Sequence, residues 1–270
     1  MKVPKAGAVA AVTLLVLAAS GCAGDSEKPK LTIGIKFDQP GLGLRESGGK
    51  FSGFDVDVAR YVAKELGYEP DRIEFKQVYS SDREVMLQYN EVEFVVASYS
   101  INEKRKAQVD FAGPYFTAHQ DLMMRASETG INKPEDLNSK TLCSVTGSTS
   151  AENVRSKLAP KAGILELGGY SECVFALKDS TLDAITTDDA ILAGFAAQAG
   201  NQGKFKLAGL KLSDEKYGIG VKKGDEELRT KINAALRKMV QDGSWDRFVQ
   251  ANFGAAGYKP QAAPPISEGS

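Results

Sequence analysis

Residues 95–115 read VVASYSINEKRKAQVDFAGPY. An apolar run stops at Ala97, gives way to Ser98-Tyr99-Ser100, and meets a dense cluster of charge from Glu103 to Lys106. One reading is a strand end followed by a solvated turn. The other is a buried strand whose mouth carries hydroxyls, free backbone amides and the Arg105 guanidinium, a cradle for a small anion.

The flanking sequence sets the fold class. Upstream, LTIGIKF (31–37) predicts a strand and SGFDVDVARYVAKELG (52–67) an amphipathic helix ending at Gly67. RIEFKQV (72–78) predicts a strand, DREVMLQYN (82–90) a short helix and VEFVVASYS (92–100) a buried strand. Downstream, strand and helix alternate again through TLCSVT (141–146), SAENVRSKL (150–158), ILELG (164–168), YSECVFALKDS (170–180), LDAITTD (182–188) and DAILAGFAAQAG (189–200). YGIGVKK (217–223) closes the series as a strand, before a long helical stretch broken at Gly243. Such alternation predicts an α/β protein with helices on both sheet faces, and the repeats suffice for two sheets rather than one. The chain leaves the first set of units near PYFTAHQDLMMR (114–125) and can return near SDEKYGIG (213–220), which predicts two crossover segments and a hinge. The Pro-rich tail from Tyr258 to Ser270 is expected to be disordered.

Composition removes several function classes. With 42% hydrophobic and 26% charged residues and a net charge of −1, the 270-residue chain has no basic excess to meet phosphates, so nucleic acid is not a partner. A single histidine, His119, leaves no basis for a His-rich metal site, and the three cysteines form no CxxC pair. No metal and no cofactor is expected.

In open α/β sheets, ligands sit beyond the carboxyl ends of the strands, where helix N-termini present unpaired amides. Ser98 and Ser100 end the buried strand, and Arg105 follows with the planar fork that suits a carboxylate. Gly147, Ser148, Thr149 and Ser150 open a helix after TLCSV, as an anion site or as simple caps. Asp188-Asp189 opens another; one of the two serves as a cap, and the other can receive an ammonium. Lys36 ends the first strand, as a solvated charge or a ligand contact, and Phe54 is a core residue or an apolar wall. Together these groups complement a zwitterion carrying one additional negative charge.

The N-terminus carries a processing signal. MKVPK (1–5) is followed by an apolar run of about 15 residues, suited to a signal peptide and short for a membrane span. It ends in LAASGC (17–22), which resembles the bacterial lipoprotein box, although Ala19 stands where Leu is usual. Cys22 would then be the lipid-modified first residue of an extracytoplasmic protein anchored to the cell membrane, with residues 1–21 removed and 22–30 as linker. After export, Cys143 and Cys173 can persist as a disulfide, stabilising by about 3–4 kcal/mol on loop length, or remain two buried thiols.

The segments GFDVDVARYVAKELG (53–67), SINEKRKAQVDFAGPY (100–115), TGSTS (146–150), TTDDAILAG (186–194) and YGIGVKKGDEEL (217–228) resemble the amino-acid-binding proteins of ABC importers, the polar amino acid family. IGIKFDQPGLG (33–43), with paired Cys143 and Cys173, resembles the glutamate-binding lipoproteins within it. The resemblance implies a periplasmic-binding-protein-like fold of two lobes, each a mixed sheet flanked by helices, joined by two hinge strands. Lobe 1 is expected at 31–117 and 218–257, and lobe 2 at 118–217. It further implies that Arg105 grips the α-carboxylate among Ser98, Ser100 and Thr149. Asp188 and the Ser98 carbonyl take the α-ammonium, Lys36 meets a side-chain carboxylate, and Phe54 stacks on the ligand's carbon chain. Arg83 and Ser148 are further candidates. The expected ligand is L-glutamate, with aspartate second; Val145, where glutamine binders commonly carry Lys, speaks against glutamine. Membrane permease subunits are the implied partners and a monomer the usual state. An enzyme such as a dehydratase on the same fold would need an additional acid or base facing the ligand, and no nucleophile–base pair is evident. A sensor ectodomain would need a membrane span, and the sequence after Phe253 has none.

Overall fold

A computed structural model describes residues 1–2 and 29–269. Residues 3–28, which hold the rest of the expected leader and Cys22, lie outside the described residues.

The elements run in chain order β1 (Leu31–Ile35), β2 (Asp38–Gln39), β3 (Gly43–Arg45), β4 (Phe51–Ser52), α1 (Phe54–Glu65), β5 (Ile73–Gln77), α2 (Arg83–Gln88), β6 (Phe94–Val95), α3 (Glu103–Lys106) and β7 (Val109–Arg125). They continue with β8 (Thr141–Val145), α4 (Thr149–Asn153), β9 (Gly163–Leu167), α5 (Tyr170–Lys178), β10 (Ala184–Asp188), α6 (Asp189–Ala197), β11 (Phe205–Leu207), β12 (Ser213–Lys222), α7 (Glu226–Gln241) and α8 (Ser244–Phe253). Helix α1 shows why such segments form: Val58, Ala59, Val62 and Ala63 bury one stripe, while Asp55 and Asp57 lie in the first turn and Lys64 in the last, complementing the helix dipole. Gly67, at φ 83°, ends it in the left-handed conformation a helix terminus favours.

Strands β5, β1 and β6 pair in parallel in the first lobe, and β10, β8 and β9 in the second. Between them run the two crossover strands, β7 of 17 residues and β12 of 10, antiparallel from Val109↔Lys222 to Ser213↔Gln120 with an irregularity between Tyr217 and Ile219. Two sheets were expected. Instead the lobe sheets are joined into one nine-stranded path, β5-β1-β6-β12-β7-β10-β8-β9 with β11 on β7, because β12 pairs with β6 of the first lobe, β7 with β10 and β11 of the second, and the two hinge strands with each other. A separate three-stranded sheet, β2-β3-β4, was not anticipated; its two- and three-residue strands are too short for alternation to register.

Two other expectations are corrected. The strand expected at 92–100 is ladder-paired only at Phe94–Val95, because Ser98 takes φ 42° and turns the chain away. The tail is not disordered over its described residues. Tyr258 packs against Phe253 and donates to Asp189 Oδ1 at 2.8 Å, while the Ser267 and Glu268 amides donate to the Gly113 carbonyl at 2.9 and 3.0 Å. Ala263 and Ile266 pack on the main core, so apolar anchors override the Pro-rich composition. Cys143 on β8 and Cys173 on α5 form a disulfide, with Cα atoms 5.6 Å apart.

Candidate functional site

The carboxyl ends of the parallel strands in both lobes converge on one cavity. From the first lobe it is lined by Gln39, Ser80, Arg83, Ser98, Ser100 and Arg105, and from the second by Ser148, Thr149, Ser150, Tyr170, Thr187, Asp188 and Ile191. Its cavity volume is about 20 Å³. The lobes are closed over it. Arg105 Nη2, from the first lobe, donates to the Gly147 carbonyl of the second at 3.0 Å, and Asp38 Oδ2 accepts from the Ser171 amide and hydroxyl at 3.3 and 3.2 Å.

Arg105 is buried on α3, whose N-cap Asn102 accepts from the Arg105 amide at 2.9 Å. Its Nη1 donates to the Ser100 carbonyl at 2.6 Å, and Glu84 Oε1 lies 3.7 Å from Nε. Arg83, at the start of α2, is 2% exposed and sits 4.0 Å over the Tyr99 ring, an arrangement that favours the cation. Its Nη1 donates to the Ala97 carbonyl at 3.1 Å, but its buried Nε has no partner. Burial, with the Arg105 charge adding to it, pushes the Arg83 guanidinium down to about 10.

Lys36 follows β1 and is buried; its Nζ donates to Ser80 Oγ at 2.9 Å, so it stands behind the cavity wall with Ser80 between. Burial, then the Arg83 charge, holds its ammonium well below the usual amine value. Among the described residues neither Lys36 nor Arg83 makes an ion pair. Three cations thus gather on the first-lobe side, with Glu84 beside Arg105 and the charges of Asp38, Asp55 and Asp82 acting on Lys36.

Asp188 ends β10 at the start of α6. Tyr217 donates its hydroxyl to Oδ2 at 2.5 Å, whereas the buried Oδ1 has no partner. Burial and the Glu215 charge hold this carboxyl well above the usual carboxylate range. Its neighbour Asp189 is the structural one, accepting from the His119 and Ala190 amides at 3.0 and 2.8 Å.

Thr149 Oγ1 donates to Glu215 Oε2 at 3.1 Å, and Ser148 caps α4, its Oγ accepting from the Ala151 amide at 3.4 Å. The structure therefore brings together Arg83, Ser98, Ser100, Arg105, Ser148, Thr149 and Asp188 on one cavity, with Lys36 one side chain behind it.

Two sequence expectations fail here. Phe54 is fully buried away from the cavity, between Tyr115, Phe116, Trp245 and Phe253, because it opens α1 on the helix's core-facing stripe. It cannot stack on a ligand from there. The Ser98 amide donates to Asp55 Oδ2 at 2.8 Å, and its hydroxyl to Gln39 Oε1 at 2.9 Å. Those bonds hold Ser98 in its positive-φ conformation and commit the donors once expected for a carboxylate. Gln39, Ser80, Tyr170, Glu215 and Tyr217 went unread. The last two alternate inward along β12, a period-2 signal that the glycines of YGIGVKK obscure.

The chain matches the family model for bacterial extracellular solute-binding proteins, family 3, over residues 31–255. It is 40% identical to the glutamate-binding protein GluB of Corynebacterium efficiens, across 96% of this chain and 94% of that one. It is 41% identical to the ABC transporter glutamine-binding protein GlnH of Bacillus subtilis, across 83% and 81%. An ancestral arginine-binding protein bound to glutamine superposes with a TM-score of 0.78 at 36% identity, covering 84% of this chain and 99% of that one.

Proposed function

We propose that this chain, which belongs to family 3 of the bacterial extracellular solute-binding proteins, captures a free acidic amino acid by lobe closure and delivers it to the permease of an ABC importer. L-Glutamate is the first choice and aspartate the second. The carrying observation is the charge inventory of the cavity: Lys36, Arg83 and Arg105 on one side, and Asp188 with an unpartnered carboxylate oxygen on the other. Two carboxylates suit that cation-rich side and one ammonium suits Asp188; glutamine brings one carboxylate fewer, and arginine adds a further cation. Buried charge without a counter-charge is costly, so the match carries specificity as well as affinity.

In this reading Arg105 takes the α-carboxylate, with Ser100 and Thr149 beside it, and Asp188 the α-ammonium. Arg83 and Lys36 receive the side-chain carboxylate, Lys36 moving past Ser80 or acting through it. The reading keeps lobe boundaries at 117/118 and 217/218, within the crossover strands. Because each lobe supplies one pole, the ligand binds the closed form better than the open one and shifts the population toward closure. A change from mostly open to mostly closed needs about 5 kcal/mol of differential affinity, within reach of several desolvated charge-assisted contacts.

Glutamine is the runner-up, favoured by the glutamine-binding relatives. Calorimetric titration against glutamate, aspartate, glutamine and arginine separates the two: the proposal requires glutamate to bind most tightly, and saturation by glutamine without a glutamate response defeats it. Membrane attachment through Cys22 belongs to the same proposal. Cys22→Ala is expected to release the protein from membranes, and unchanged retention would reject the anchor.

A further inference from the structure

Glu215 is a buried carboxylate that the assignment above leaves without a task. It lies on β12 two residues before Tyr217, on the same inward face, and Tyr217 is the donor to Asp188. Its oxygens accept only from neutral hydroxyls, Ser213 Oγ at 2.7 Å and Thr149 Oγ1 at 3.1 Å. Among the described residues it forms no ion pair, and neither does Asp188. Thr149, its donor, lines both the cavity and the adjoining recess of about 350 Å³ to which Glu215 belongs.

Two carboxylates, 5% and 4% exposed, thus stand near one another, Asp188 on the cavity and Glu215 behind Thr149, neither of them ion-paired among the described residues. Burying an uncompensated charge is unfavourable, and two of like sign near one another more so. Asp188 Oδ1, buried and without a partner, marks where the compensating group belongs.

We propose that Glu215 acts with Asp188 as a paired anionic seat that makes the ligand's ammonium obligatory, so that the protein rejects dicarboxylates of the same length lacking the amine. Asp188 touches the ammonium; Glu215 acts through the field it adds there and through Thr149. The cation-rich side of the cavity would otherwise accept any dicarboxylate, and this second carboxylate is what excludes them. The upward shift of the Asp188 carboxyl agrees with such a pair. The inference rests on the acidic-amino-acid reading.

The test measures dissociation constants for L-glutamate and for glutarate, its deaminated analogue, in the unsubstituted protein and in Glu215→Gln. The unsubstituted protein is expected to prefer L-glutamate. In Glu215→Gln that preference is expected to fall by about tenfold or more, with glutarate gaining relative to glutamate. Glu215→Asp, which keeps the charge, is expected to stay closer to the unsubstituted ratio, and Glu215→Ser, which removes it, carries the test if the Gln variant does not fold. A ratio unchanged by the loss of charge, or equal weakening of both ligands, overturns the proposal. If the unsubstituted protein prefers another amino acid, the acidic-ligand reading fails by itself. The same ratio, taken for that amino acid and its deaminated analogue, then decides Glu215.

Discussion

The Arg105 guanidinium, carried by the first lobe, donates through Nη2 to the Gly147 carbonyl of the second at 3.0 Å. The side chain proposed for the α-carboxylate therefore also fastens the lobes, and binding and closure share one residue.

That sharing predicts a large effect. Arg105→Ala removes the carboxylate's fork and leaves the Ser100 and Gly147 carbonyls without their donor. Loss of a buried charge-assisted partner costs about 2–5 kcal/mol, so affinity is expected to fall by roughly 30-fold to several thousand-fold. Titration calorimetry reads it. A variant that folds normally and binds within a factor of about three would contradict the role.

Gly194 sits inside α6, where a glycine is unfavourable by about 1 kcal/mol relative to Ala. A Cβ there would lie 1.9 Å from the Pro40 carbonyl oxygen of the first lobe. Gly194→Ala is expected to leave the thermal unfolding of the ligand-free, open protein unchanged or raised, while weakening ligand binding by obstructing closure. A fall in ligand-free stability would instead show that Pro40 stays on α6 when the lobes part.

Asp55 is fully buried, accepting from the Tyr115 hydroxyl and the Ser98 amide, each at 2.8 Å. Burial nonetheless pushes its carboxyl up to about 6. A raised carboxyl value means that the folded form takes a proton before the unfolded one does. The cost of the buried charge is therefore complete above pH 6 and is relieved as pH falls from 6 toward about 4. The relief is on the order of 2–3 kcal/mol. Asp55→Asn removes this titration, so its stability relative to the unsubstituted protein is expected to be more favourable at about pH 7.5 than at about pH 5. Melting curves at the two values check it, and a pH-independent difference would contradict it.

Lys36→Met keeps the side chain as far as Cε and deletes the ammonium. Hydrogen bonds to charged groups contribute about 1.5–3 kcal/mol, so glutamate affinity is expected to fall by roughly 10- to 150-fold. Glutamine should be affected much less, narrowing the preference. Equal losses for both ligands would place Lys36 outside the recognition of the side-chain carboxylate.

The cavity-lining residues were legible where they follow a strand of clear apolar character. Ser98, Ser100 and Arg105 come after one such strand and Thr149 after another, and loops there are bound to face a common crevice. Asp188 and Asp189 could not be told apart by type or spacing. Their tasks are divided by the backbone, which turns one toward Tyr217 and the other toward the His119 amide. Phe54 misled because an aromatic beside a glycine-rich turn suits a ligand wall as well as a core, and only packing against Trp245 and Phe253 decides. The tail misled in the opposite sense: its prolines suggested disorder, while single anchors such as Tyr258 and Ile266 supply enough contact to seat it. Gln39 was hidden in a strand of two residues.

The most direct test is a crystal structure with L-glutamate bound. The account predicts the α-carboxylate on Arg105, the ammonium on Asp188 and the side-chain carboxylate toward Arg83 and Lys36, with both lobes in contact with one ligand. A ligand held by one lobe alone, or an Arg105 or Asp188 side chain turned away from it, would contradict the account.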